Sequence, residues 1–542
     1  MKVFGFLHRW LGVIAAIFIL LFAASGIVLN HRSFFSGIDI NRKYLPKTYH
    51  YHNWNLSAVK TAFPIGTDSL LIYGNIGIWL TDSALSTFKP FYDGIRRGTD
   101  NRRAEAMLKI PGGNILAGTM SGLYVLQGDN WDHIPLPVKE KRVTGLVSSN
   151  QGVRILTRSH LLHLDETETG FLLNEIPLPY PSDFKSETSL FRALWVIHSG
   201  KILGTPGKLF VDILGLVMIF LSLSGIIWFV APDLMKKLKN RVQARKRVAR
   251  MNRFSLKWHN KLGIWLLGFL IILTITGMFL RPPLLIPIVR KTFPAIKSTI
   301  LDHPNPWYDK LRDIQYDRFT GAYILSTSEG FYLAEPTFRD SLQRIPHQPP
   351  ISVMGINVFE QPTDGVFVTG SFSGIHRWVP AAMHVHDYIT GQPVTPARGM
   401  ANPFGNIPVA GYFDLGNGKE FIFDYNAGVF SLNRDMTIPP MPERIKQDAR
   451  MPLWNLALEI HTGRFYSFIF GDYYILFIPL AGLTILLILV SGGVLWWKHY
   501  KRGKRRKHNK ENNFENKTEL KKYQKPIFNP KKEEPIPVEQ KD

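Results

Sequence analysis

The sequence predicts a membrane protein of mixed α and β structure. Four transmembrane helices fall into two repeated halves, and each half carries a large extracytoplasmic all-β, propeller-like segment. Three observations predict this: four apolar runs of bilayer length, a lopsided distribution of basic residues, and short strand–turn–strand motifs that recur in both long segments.

The apolar runs are 10–29, 209–230, 262–280 and 473–497. Each is about the 20 residues that a helix needs to cross a hydrocarbon core. The first is too long for the apolar part of a signal peptide, and no small-residue cleavage site follows, so it reads as an uncleaved anchor. Basic residues orient the runs. The segment 236–257 between the second and third runs is dense in Lys and Arg, and 498–507 after the fourth is almost wholly basic. Positive charge collects on the cytoplasmic side of short loops. The layout is therefore helix 1–30, periplasmic segment 31–205, helix 206–231, basic cytoplasmic loop 232–258, helix 259–281, periplasmic segment 282–471, helix 472–497 and a basic tail 498–542 expected to be disordered. Both termini are cytoplasmic, and the two long segments lie on the other side of the membrane.

Composition agrees. The chain has 542 residues, 45% hydrophobic and 13% aromatic, too apolar for disorder throughout. The absence of cysteine excludes disulfides, thiolate catalysis, cysteine-ligated iron–sulfur clusters and C-x-x-C-H haem attachment. The net charge of +23 reports topology and contact with the lipid bilayer rather than nucleic acid, because it sits beside the spans.

In the long segments, hairpin motifs recur. The first has Gly77–Leu80, then Ile115–Thr119 with Gly122–Val125, then Arg154–Thr157 with Leu161–Leu164. The second has Ala322–Thr327 with Gly330–Leu333, then Val366–Gly370 with Gly374–Trp378, then Phe421–Asp424 with Gly428–Ser431. Their spacing resembles that of propeller blades. One propeller shared by both halves, or two separate β-sandwich domains, would each suit the pattern.

The halves repeat each other at matching offsets. His8-Arg9-Trp10-Leu11-Gly12 parallels His259-Asn260-Lys261-Leu262-Gly263, and Ser25-Gly26 parallels Thr276-Gly277. Ile197-His198-Ser199-Gly200-Lys201 parallels Ile460-His461-Thr462-Gly463-Arg464, and Ser224-Gly225 parallels Ser491-Gly492. Duplication predicts a pseudo-twofold axis along the membrane normal, with sites at the repeat interface. Under such an axis His8 faces His259 at the cytoplasmic edge, and His198 faces His461 at the outer edge. Facing imidazoles on neighbouring helices can hold a haem iron from both sides. A lone histidine at a membrane edge is more often a polar residue at headgroup depth; four at symmetric positions argue for ligands. Gly12 and Gly263 lie one turn beyond His8 and His259, where a missing side chain would let a flat macrocycle approach. Arg9, Lys261, Lys201 and Arg464 are near enough to pair with propionates. His31 is a fifth candidate, as an alternative outer ligand or a substrate contact. His384 and His386, two apart, would share a strand face, which reads as solvated more readily than as a metal site.

These motifs resemble the PepSY-associated transmembrane helix family: HRWLG opening a span, SG or TG near its end, IHSG and IHTGR before later spans, and SGGVLWW closing the last. The resemblance implies an iron-regulated inner-membrane protein. Similar ferric-siderophore reductases hold b-type haems in a four-helix bundle, which implies two haems b on His8, His259, His198 and His461. The outer segments depart from the family pattern, which leaves the substrate open. The function expected is a di-haem membrane cytochrome passing electrons to a periplasmic ferric chelate, a haem-dependent oxidoreductase. The alternative is a non-catalytic, membrane-anchored β-propeller that binds a partner or senses a ligand. The loop 232–258 and the tail carry no nucleotide fingerprint and cannot build a βαβ domain. The electron donor is therefore quinol or a separate cytoplasmic reductase.

Overall fold

The computed structural model describes residues 2–523 apart from 169, 353–354, 395–404, 417 and 434–438, with backbone alone for 2 and 502–523. The chain divides into two compact units. One comprises Met1–Leu20, Val217–Ile275 and Ala481–Asp542; the other comprises Leu21–Leu216 and Thr276–Leu480.

Seven helices matter for the site: α1 Lys2–Asn30, α2 Leu190–His198, α3 Gly204–Lys237, α4 Val242–Trp265, α5 Leu267–Met278, α6 Leu453–His461 and α7 Phe477–Tyr523. Among the described residues, Val3–Asn30, Lys201–Lys237 and Arg464–Lys501 are long and apolar enough to cross a membrane. The third predicted span is a bent pair: α4 and α5 meet at 68°, so the total is four if the pair counts as one span. The bend falls at Leu266, which leaves helical geometry at φ −104° and ψ 5°. Gly263 and Gly268 flank it, and glycine weakens a helix by about 1 kcal/mol per residue relative to Ala.

Two expectations need correction. The segment 232–258 is not an open loop: it is the end of α3 and most of α4. The tail is not disordered from 498 onward, because α7 continues to Tyr523, while 524–542 lie outside the described residues. Both stretches are rich in Lys and Arg. These straight-chain residues lose little rotamer freedom in a helix, so a polar sequence without an apolar face still forms one.

The second unit holds six antiparallel sheets, each a simple meander. They span residues 61–90, 104–134, 143–176, 311–344, 358–387 and 409–430, with four strands each except the last, which has three among the described residues. Three come from residues 31–205 and three from residues 282–471. The predicted hairpins are the second and third strands of these sheets, as in Gly152–Thr157 paired with Leu161–Thr167. Their turns use a repeated device: the hydroxyls of Thr119, Thr157 and Thr327 donate to the carbonyls of Gly122, His160 and Gly330. The first strands of sheets two to six touch in succession, sheet two touches the second strand of sheet one, and the first strand of sheet six touches the first strand of sheet one. Between sheets sit buried aromatic and aliphatic clusters, with Trp131, Trp307 and Trp378 almost wholly buried. Truncating such a ring costs about 3–5 kcal/mol, so these clusters dominate the stability of the sheets.

Two further strand pairs tie the halves together. Asp39–Asn41 pairs with Arg450–Pro452, and Glu187–Ser189 pairs with Thr292–Pro294, both antiparallel. Each pair leads directly into a nine-residue helix, α6 or α2, that ends on a histidine. The Ser189 hydroxyl caps α2 by accepting the Arg192 N–H at 3.1 Å. After each histidine a glycine at positive φ, Gly200 (74°) or Gly463 (81°), turns the chain, a conformation open to glycine at little cost.

Candidate functional site: two facing histidine pairs

In the first unit His8 lies on α1 and His259 on α4. Their ring centroids are 6.1 Å apart, with planes at 88°. In the second unit His198 ends α2 and His461 ends α6, and their centroids are 5.9 Å apart at 53°. All four side chains are half-buried.

Each ring is held through Nδ1 by a hydroxyl. His8 Nδ1 lies 3.3 Å from Ser491 Oγ and 3.0 Å from the Ile488 carbonyl on α7. His259 Nδ1 lies 2.7 Å from Ser224 Oγ on α3. His198 Nδ1 lies 3.3 Å from Thr276 Oγ1 on α5. His461 Nδ1 lies 3.0 Å from both Ser25 Oγ and the Phe22 carbonyl on α1. A carbonyl only accepts, so the Nδ1 of His8 and of His461 carries the proton and donates it. Nε2 of each then keeps its lone pair, the form in which imidazole binds a metal. Holding the distal nitrogen in this way fixes tautomer and ring direction.

The glycine after each hydroxyl makes room for the ring. A Cβ on Gly277 would meet His198 Cε1 at 2.7 Å, and one on Gly492 would meet His8 Cε1 at 2.9 Å. On Gly26 it would meet His461 Cε1 at 3.2 Å, and on Gly225 it would reach His259 Cε1 only at 3.9 Å. The SG and TG dipeptides that mark the repeat in the sequence are thus clips for the histidines. Their exchange is reciprocal. The spans α1 and α7 hold each other's histidines, counting His461 with the span it precedes, and α3 and α5 do so with His198 and His259.

This corrects the sequence-based choice of glycines. Nothing lies within 4 Å of a Cβ built on Gly12, and Gly263 meets only Leu221 Cδ2 at 3.8 Å. The histidine rings reach across to neighbouring helices, so the glycines that touch them are not on their own helix. Arg9 lays its guanidinium near Trp10, Trp228 and Phe229, at 5.0 Å from the last ring centroid. Lys261 lies over Trp258 and Trp265, and Lys201 over Trp195. Arg464 donates to Glu459, which also accepts from the Tyr49 hydroxyl at 3.1 Å, yet Arg464 Nε is buried without a partner. His31 turns to Asp212 on α3, with Nε2 2.6 Å from Oδ2, rather than to His198 or His461. His384 and His386 lie 5.9 Å apart, and the described residues contain no group of three His, Asp or Glu able to hold a metal ion.

Some site residues escaped sequence reading. Asn252 Oδ1 and Ser255 Oγ are buried without partners on the α4 face that carries His259; spacing of three and seven residues was the available signal. Arg281 sits near Arg464. Asp212 is a carboxylate within an apolar span, a rare placement that sequence inspection could have flagged.

The family described as the PepSY-associated TM region matches this sequence at residues 4–231 and again at 232–499. The chain belongs to this family. The two matches abut, so the repeat read from His8 and His259 onward is the family unit occurring twice. Comparison with curated proteins gives no match. Among solved structures, the extracellular domain of a protein described as a hybrid two component system from B. thetaiotaomicron is similar at 8% identity and a TM-score of 0.33, over 68% of this chain and 32% of that one. A second such domain from that organism aligns at 12% identity and a TM-score of 0.31, over 72% of this chain and 40% of that one. A structural genomics protein of unknown function from B. thetaiotaomicron aligns at 8% identity and a TM-score of 0.32, over 72% and 71%. This family member thus spans well under half the length of the first two.

Proposed function

We propose that this chain is a di-haem cytochrome of the bacterial inner membrane that passes electrons outward to a periplasmic ferric chelate. The facing imidazoles carry the reading. Two imidazoles on either side of one iron, with metal–nitrogen bonds of about 2.0 Å, place their ring centroids about 6.4 Å apart. The separations of 6.1 and 5.9 Å lie close to that value. One orphaned polar atom near the second pair supports the fit: Arg464 Nε, three residues beyond His461, suits a propionate.

His8 and His259 would hold one haem b, and His198 and His461 the other. Bound haem supplies reversible one-electron transfer. The chain does the rest. The Nδ1 contacts aim each Nε2 lone pair, the clip glycines let the rings pack against backbone, and apolar span residues exclude water. Arg281 and Arg464 would balance anionic charge at the outer pair. The basic surfaces of α4 and of the start of the tail support a cytoplasmic placement of both termini. They also suit docking of an acidic reductase, with quinol as the other donor.

The cyclic order of sheet contacts supports a six-bladed β-propeller, three blades from each half, as the mass that receives the acceptor. The test is optical. Purified protein should show a reduced haem α-band and two haems per chain, and His198→Ala should halve that ratio. Colourless, folded protein would refute the proposal and leave the ligand-binding alternative.

A further inference from the structure

A cavity of about 500 Å3 opens in the second unit where the Asp39–Asn41 and Arg450–Pro452 strands meet sheet one. That volume is ordinary for a small-molecule site. Four arginines line it, Arg97, Arg102, Arg444 and Arg450, against two acids, Asp39 and Asp448. Asp39 is already engaged, accepting the Thr99 N–H at 3.0 Å. None of the four guanidinium groups forms an ion pair among the described residues, whereas Arg32, Arg158 and Arg318 each hold an aspartate. Arg102 lies 4.2 Å above the Tyr92 ring, and its Nε is buried with no hydrogen-bond partner. Trp79 and Tyr92 supply an aromatic wall, with centroids 6.4 Å apart at 77°.

We propose that this cavity binds an oligoanion whose negative oxygens sit on planar aromatic groups, of the catecholate type. Unpaired guanidinium groups take paired oxygens in bidentate fashion and stack on aromatic planes, which a neutral or cationic ligand would not exploit. The place fits the proposed activity. Arg450 opens the strand that runs into α6, whose nine residues end on His461, a path of about 14 Å along the helix. The functional meaning of the site, selection of anionic ferric chelates, rests on the reading above; the binding itself does not.

The test uses a redox-inert mimic. The full chain in neutral detergent is titrated calorimetrically with gallium(III) tris-catecholate, a trianion, and with neutral gallium(III) tris-acetohydroxamate. The trianion should bind at least about tenfold more tightly and weaken as salt rises. The triple variant Arg97→Gln, Arg444→Gln, Arg450→Gln should lose at least about tenfold in affinity for it with its optical spectrum unchanged, since these three side chains are exposed and unpaired. Arg102→Lys, which keeps the charge but not the stacking plane, should also weaken binding. Equal affinity for the two complexes, or unchanged affinity in the triple variant, overturns the site. Gallium is not reduced, so that failure leaves the cytochrome reading standing, and a chain without haem that still binds the trianion does the reverse.

Discussion

Replacing the clip glycines by alanine one at a time should grade haem retention by a distance already present in the fold. In a helix, Gly→Ala alone adds about 1 kcal/mol of stability. A Cβ at Gly277 would stand 2.7 Å from His198 Cε1, where carbon–carbon contact is comfortable only at about 3.5–4.0 Å. The ring must therefore move by about 0.8 Å or more. An unligated histidine swings away at little cost, so the fold should melt at nearly the same temperature. A ligated one cannot, because metal–ligand distances tolerate only about 0.2 Å. Gly277→Ala should thus lose the outer haem, and Gly492→Ala, at 2.9 Å from His8, the cytoplasmic one. Gly26→Ala, at 3.2 Å, should weaken binding, and Gly225→Ala, at 3.9 Å, should retain both haems. The assay is haem per chain from the reduced spectrum, with thermal melting alongside. If Gly277→Ala and Gly225→Ala carry equal haem, the rings do not sit against these glycines in the loaded protein and the argument fails.

His31→Ala should leave haem content unchanged, since its Nε2 is committed to Asp212; a halved ratio would return it to the ligand set. In the sheets, burial raises the Glu360 carboxyl to about 7, helped by Asp313, and raises Asp313 to about 6, while Lys60 opposes both. The folded state then holds more protons than the unfolded one, so stability should fall as pH rises from about 4.5 to 7, by about 3 kcal/mol at most for Glu360. Glu360→Gln should flatten that slope in thermal melts between pH 5 and 8; an unchanged slope would place the titrating group elsewhere. Stopped-flow mixing of the oxidised chain with NADH alone should leave the haem oxidised, and rapid reduction would reveal an unrecognised nucleotide site.

The apolar runs, the basic stretches and the doubled motifs determined by themselves that the chain is a membrane protein in two repeated halves, because bilayer length and charge placement are properties of contiguous sequence. The central hairpins of the sheets were legible for the same reason: alternating apolar residues around a Gly or Thr turn are a local signal. Their outer strands were not, because a strand such as Asn130–Ile134 gains its place only from the neighbour it pairs with. Helicity in 242–258 of α4 and in the extension of α7 beyond 497 was missed because it rests on intrinsic propensity without an apolar stripe. The four edge histidines stood out by symmetry, but what grips each one did not. Ser25-Gly26, Thr276-Gly277, Ser224-Gly225 and Ser491-Gly492 were visible as repeats with no assigned role. Only tertiary structure joined each dipeptide to a ring on another helix, since a contact such as Ser25 to His461 spans 436 residues and has no trace in local pattern. The same holds for the arginine-lined cavity, whose four guanidinium groups come from opposite ends of the second unit's sequence and converge only when the first and last strands pair.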